Sequence, residues 1–169
     1  MRLSSIVLLT ALALPSYAAA QEYPKLRPGL WEMTRTADNA PQHPMTSDIC
    51  LDETVQKEMF EMGSGAMKGM CSKHDFRMSG GRATGDFVCD MGGSRMHSKS
   101  AMVMSGDTAY RTEIDTTYDP PFMGMSRLKT VLTARRLGPC KPGQRAGDMT
   151  VAGGRTINIR DVLNGNGGK

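Results

Sequence analysis

Cysteine, histidine and methionine carry most of the chemistry this sequence has to offer, and their spacing decides how much of it is usable. The four cysteines, Cys50, Cys71, Cys89 and Cys140, lie 21, 18 and 51 residues apart. No close C-x-x-C pair occurs, so a four-thiolate zinc site or a redox-active dithiol lacks its usual spacing. An even number of cysteines in an oxidising compartment reads as two bridges, and four cysteines allow three pairings. Each bridge contributes about 2–4 kcal/mol, mainly by restricting the unfolded chain. That contribution matters, because Phe, Trp and Tyr make up only 5% of the residues and the apolar core is thin.

Methionine is the compositional anomaly, with fifteen residues. Thioether and imidazole together suit copper(I). His43 with Met45, His74 with Met78, and Met96 with His97 are neighbours in sequence. On a strand, however, Met96 and His97 point to opposite faces. His74 and Met78 share a face but stand about 13 Å apart. Met59, Met62, Met67 and Met70 come closest to an array, interrupted by glycines. The plainer reading is that unbranched methionines fill irregular core space. Copper binding is one alternative function; no cofactor is expected. A hydrolase-type triad is another, since three histidines and many serines are present. The sequence has no G-x-S-x-G elbow and no P-loop. Asp52 with Glu53 reads as a helix start, and Glu113 with Asp115 as a solvated strand face. A protein that is not an enzyme is expected.

The elements that must position these residues begin after residue 20. Arg2, the apolar run of residues 3–14, Pro15 and Ala18-Ala19-Ala20 follow the charged, apolar, small-residue order of a secretory signal. The run is short for a bilayer span. Cleavage is expected after Ala20, giving a periplasmic protein without a transmembrane segment. Removing Arg2 lowers the formal charge of +4 by one, which gives nucleic-acid binding no support. Residues 21–140 read as a single disulfide-stabilised domain. Residues 141–169 read as a C-terminal extension with one possible extra strand and a mobile tail.

Within the domain, residues 29–34 read as a strand and residues 37–47 as a loop. Residues 53–62 form one short amphipathic helix, with Val55, Met59 and Met62 at helical spacing, ended by Gly63, Gly65 and Gly69. From Lys73 the period changes to two. Five strands follow, separated by Ser79-Gly80-Gly81, Met91-Gly92-Gly93, Ser105-Gly106-Asp107 and Asp119-Pro120-Pro121. The predicted fold is mainly β, a curved antiparallel meander that closes as a half-barrel or small barrel, with one short helix after the first strand. A groove inside it would be lined by Trp31, Met33, Phe76, Phe87, Met102, Met104 and Tyr110; without a groove these residues are the core. Arg111, Arg127, Lys129, Arg135 and Arg136 would form a basic stripe on the outer face, among acids.

Several landmarks occur in a fixed order: Pro28-Gly29-Leu30-Trp31-Glu32, Cys50-Leu51 before an acidic helix start, Cys71, Phe87-Val88-Cys89, and Arg135-Arg136-Leu137-Gly138-Pro139-Cys140. Together they resemble a bacterial exported family, domain of unknown function 3617. The resemblance implies a small periplasmic protein and carries no activity over. Gly29-x-Trp31 is also similar to the first strand of lipocalins, which implies a small apolar ligand. The expected function is a noncatalytic periplasmic binding or accessory protein, its partner a small apolar molecule or an envelope protein.

Overall fold

The computed structural model describes residues 23–40, 42–151 and 153–163. The predicted leader and mobile tail lie outside them. Among the described residues, nine strands form one sheet in the order β3-β4-β5-β6-β7-β1-β2-β8-β9. They are β1 (Gly29–Ala37), β2 (Met45–Leu51), β3 (Cys71–Ser79), β4 (Arg82–Met91), β5 (Ser94–Ser105), β6 (Ala109–Phe122), β7 (Met125–Gly138), β8 (Asp148–Thr150) and β9 (Thr156–Asn158). Helix α1 (Glu53–Met70) joins β2 to β3, and the short α2 (Ile159–Leu163) follows β9. All pairings are antiparallel.

The five strands expected from Lys73 onward form as hairpins, three of them at the anticipated turns. The fourth turn falls at Met123-Gly124, both at positive φ, because β6 runs on through Asp119-Pro120-Pro121 to Phe122, which pairs with Met125. The expected half-barrel or small barrel does not form. A barrel closes by pairing the first and last strands of its sheet. Here those edges are β3, nine residues long, and β9, three residues long. So short a strand cannot offer β3 a full ladder, and the sheet stays open. The lipocalin-type barrel goes with it.

The helix also differs from expectation. It follows the second strand, because Met45, Thr46 and Ser47, read as the end of a loop, join the short ordered piece Ile49-Cys50-Leu51 to form β2, with Trp31 opposite Ile49 and Thr34 opposite Thr46. Polar Thr46, Ser47 and Asp48 hide that strand's alternation. The helix starts as predicted: Asp52 caps it, accepting from the Val55 N–H at 2.7 Å. It then continues through Gly63, Gly65 and Gly69 to Met70. Topology supplies the reason. The strands β2 and β3 are six positions apart in the sheet, about 29 Å at the usual strand spacing. An 18-residue helix spans about 27 Å, enough to cross one sheet face; ten residues would not be.

The two disulfides hold this crossing at both ends. Cys50, just before the Asp52 cap, bonds to Cys140 beyond β7, and Cys71, the first residue after the helix, bonds to Cys89 on β4. This is the pairing the cysteine spacing left open.

The core lies under the first half of α1. Trp31, Ile49 and Val55 are fully buried, with Leu51 and Ala134 beside them. The Trp31 indole N–H donates to the Arg27 carbonyl at 2.9 Å. Buried Gln56 is satisfied by a reciprocal pair with the Leu26 backbone, at 2.8 and 2.9 Å. The segment beyond Cys140 extends the sheet through β8 and β9. Arg160 of α2 clamps Glu58 of α1 with two hydrogen bonds, 2.7 and 2.9 Å.

Candidate functional site

The second half of α1 lies over the sheet differently. Met59, Phe60, Gly63, Ser64 and Met67 recur at spacings of three and four, so one helix face looks onto the β3–β4 hairpin. Opposite them, His74 and Phe76 on β3 pair in register with Phe87 and Gly85 on β4. The five helix residues, Lys68, His74, Phe76 and Phe87 line a cleft of about 250 Å³. Its wall is mostly carbon and sulfur.

Two glycines shape it. A side chain at Gly85 would strike the Phe87 ring and the Ser100 hydroxyl. The missing Cβ lets Phe87 lie across its own strand and form the floor. Gly63 is the opposite case: a Cβ there would meet nothing within 4 Å. Glycine in a helix interior costs up to about 1 kcal/mol relative to alanine, and no close approach requires it at this position. The space it borders in the cleft is open.

Phe60 bounds the cleft on the core side. Its ring meets Phe76 edge-on at 5.5 Å and stacks with Tyr23 at 5.5 Å. Beyond Phe60 lies a second cleft of about 160 Å³, lined by Tyr23, Leu26, Leu51, Met59, Met102 and Tyr110 among others. Burial raises the Tyr110 phenol above its ordinary pKa, so it stays neutral; its hydroxyl lies 3.9 Å from the Met33 sulfur.

The seven sequence-predicted lining residues therefore divide. Phe76 and Phe87 form the floor of the larger cleft, and Met102 and Tyr110 the wall of the smaller. Trp31 is core, and Met33 packs against it. Met104 sits opposite Tyr110 across β5 and β6, outside both clefts. The helix contribution was not anticipated, because the helix was expected to stop before Gly63. The spacing of Met59 and Met67 was the available signal.

The other sheet face carries charge in matched pairs. Asp86 accepts from Lys73 at 2.6 Å and contacts His97 Nε2 at 2.8 Å, and the Lys73 bond, then the His97 bond, holds its carboxyl below the usual range. His97 is thus on the opposite face from Met96, which pairs with Cys89 on the helix side. The expected basic stripe is largely paired. Arg111 bonds Glu113, Arg127 bonds Asp115, Arg135 bonds Glu32, and Arg136 donates to the Pro28 carbonyl. Among the described residues, no three His, Cys, Asp or Glu side chains are grouped to hold a metal ion, and no helix is long and apolar enough to cross a membrane.

No curated protein matches the chain. The family model described as "Protein of unknown function (DUF3617)" matches residues 26–140, from the lead-in that latches Gln56 to the cysteine that holds the start of α1. The match includes both disulfides and the whole lining of the larger cleft, and it fits an exported protein. Since it covers well over half of the chain, the protein belongs to the DUF3617 family.

Proposed function

We propose that this is a noncatalytic binding or accessory protein of the periplasm, exported and cleaved after Ala20, whose ligand is a small apolar molecule seated between α1 and the β3–β4 hairpin. One observation carries the reading: the larger cleft is apolar, and it is open beside Gly63, where even an added Cβ would meet nothing within 4 Å. Ligand sites are concave, mostly apolar and largely preformed. At about 30 Å³ per water-sized group, the cleft holds roughly eight such groups, the length of an octyl chain.

The test is displacement of a fluorescent apolar probe from the mature protein by 1-octanol, compared with Gly63→Leu. The wild type should bind octanol. The variant should lose binding at least tenfold while its urea midpoint stays equal or rises, since leucine is the better helix former. Absent binding in the wild type, or unchanged binding in the variant, overturns the reading.

A second reading, copper(I) binding, gains one observation: Met59, Met67 and His74 line the same cleft, a thioether–imidazole set that the neighbouring pairs in sequence do not make. Anaerobic competition with a copper(I) chelator tests it, and affinity no better than micromolar would retire it.

A further inference from the structure

The charges around the larger cleft have one sign. Its lining contains Lys68 and His74 and no acidic side chain. The acids on the elements that build it lie away from it or are engaged elsewhere: Glu53 sits in the first turn of α1, at the core end. On α1, Glu58 is clamped by Arg160, and Glu61 pairs with Lys57 at 3.7 Å. On β3 and β4, Asp75 and Asp86 lie on the other sheet face, where both meet Lys73. Asp90 accepts from the Gly93 backbone at the next turn. The C-terminal end of α1 adds a partial negative charge of about one half, which the full charge of Lys68 in its last turn outweighs.

From this juxtaposition, and resting on the apolar-ligand reading above, we infer that the ligand is a single-chain anionic amphiphile: its alkyl chain lies over Phe76 and Phe87 beneath Gly63, and its acid group is held at the rim by Lys68 and His74. The lysine ammonium supplies charge and the imidazole a hydrogen-bond donor. A single chain is specified by volume, because the cleft's room for roughly eight water-sized groups does not accommodate the two tails of a bilayer lipid.

The probes are octanoate, 1-octanol and octylammonium, titrated at pH 7 into the mature full-length protein, its Lys68→Met variant and its His74→Phe variant. Octanoate should bind about tenfold tighter than octanol, the scale of one charge-assisted contact near the surface, and octylammonium more weakly than either. Raising the salt should shrink the octanoate preference. Lys68→Met should bring octanoate down to the variant's own octanol level, and His74→Phe should reduce the preference in part. Equal binding of octanoate and octanol by the wild type, or an octanoate preference untouched by Lys68→Met, overturns the inference and leaves the apolar cleft standing. Binding of none of the three probes overturns both.

Discussion

One helix covers two regions of this sheet, and they are built on different terms. Under its first half, Val55 meets Trp31, Ile49 and Leu51 in a filled core, and Gln56 closes its hydrogen bonds on the lead-in. Under its second half, helix and hairpin face each other across a cleft. The first half is ordered by burial, the second by attachment. Residues 63–70 include three glycines, and that sequence would make a poor isolated helix. It persists because Cys71 fastens its end to β4 while the core fixes its beginning. A segment held by its ends can leave a gap along its length, which a segment held by side-chain packing cannot. The difference shows how a small chain poor in aromatics can keep an open cleft without losing its fold.

Three measurements would break or sharpen this comparison. The largest effect belongs to the crosslinks. Replacing Cys50 and Cys140 with serine releases a loop with a sequence separation of 90, and replacing Cys71 and Cys89 releases one of 18. Loop-closure entropy predicts losses of about 4–5 and about 3 kcal/mol respectively in urea unfolding. Hydrogen exchange in the second variant should rise first in residues 63–70; uniform exchange along α1 would end the contrast between its halves.

Core truncation comes next. Trp31→Ala should cost about 3–5 kcal/mol. Phe76→Ala, half-buried beside the cleft, should cost about 1–1.5 kcal/mol, roughly half the transfer value of a buried ring. Equal losses would mean that the hairpin end packs like the core.

The smallest effect is in pH. Arg160 holds Glu58 below its ordinary pKa, Lys73 and His97 do so for Asp86, Arg127 for Asp115, and Asn158 for Asp148, in each case chiefly through hydrogen bonds. Each carboxyl therefore takes up its proton at lower pH in the folded than in the unfolded chain. Their contribution is complete above the ordinary carboxylate range and declines as pH falls through the depressed values. The thermal midpoint should be level from about pH 7 to 5 and fall below about pH 4. Glu58→Gln should flatten only a small part of that fall, since both partners are more than a third exposed and solvent screens the pair. A midpoint that rises on acidification would contradict the assignment.

Much of the architecture was legible before any coordinates. The two-residue period after Lys73 and the glycine turns specify five hairpin-linked strands, because alternation and turn residues are local properties. Asp52 and Glu53 mark the helix start for the same reason. The length of α1 was not legible: three glycines argue locally for a stop, and the distance between β2 and β3 overrides them. Strand β2 was obscured because its polar stretch gains its order from β1 beside it. The cysteine count indicated two bridges, but only the sheet order brings Cys50 to Cys140 and Cys71 to Cys89. Openness, too, was decided in three dimensions, since edge strands of nine and three residues cannot pair along their length. The candidate site divides in the same way. Phe76 and Phe87 stand out as alternating aromatics on adjacent strands, whereas Gly63, Met67, Lys68 and His74 become neighbours only once the helix is laid across them. Residue type and period are written along the chain; a cleft is a relation between distant segments, and the tertiary structure alone brings those segments together.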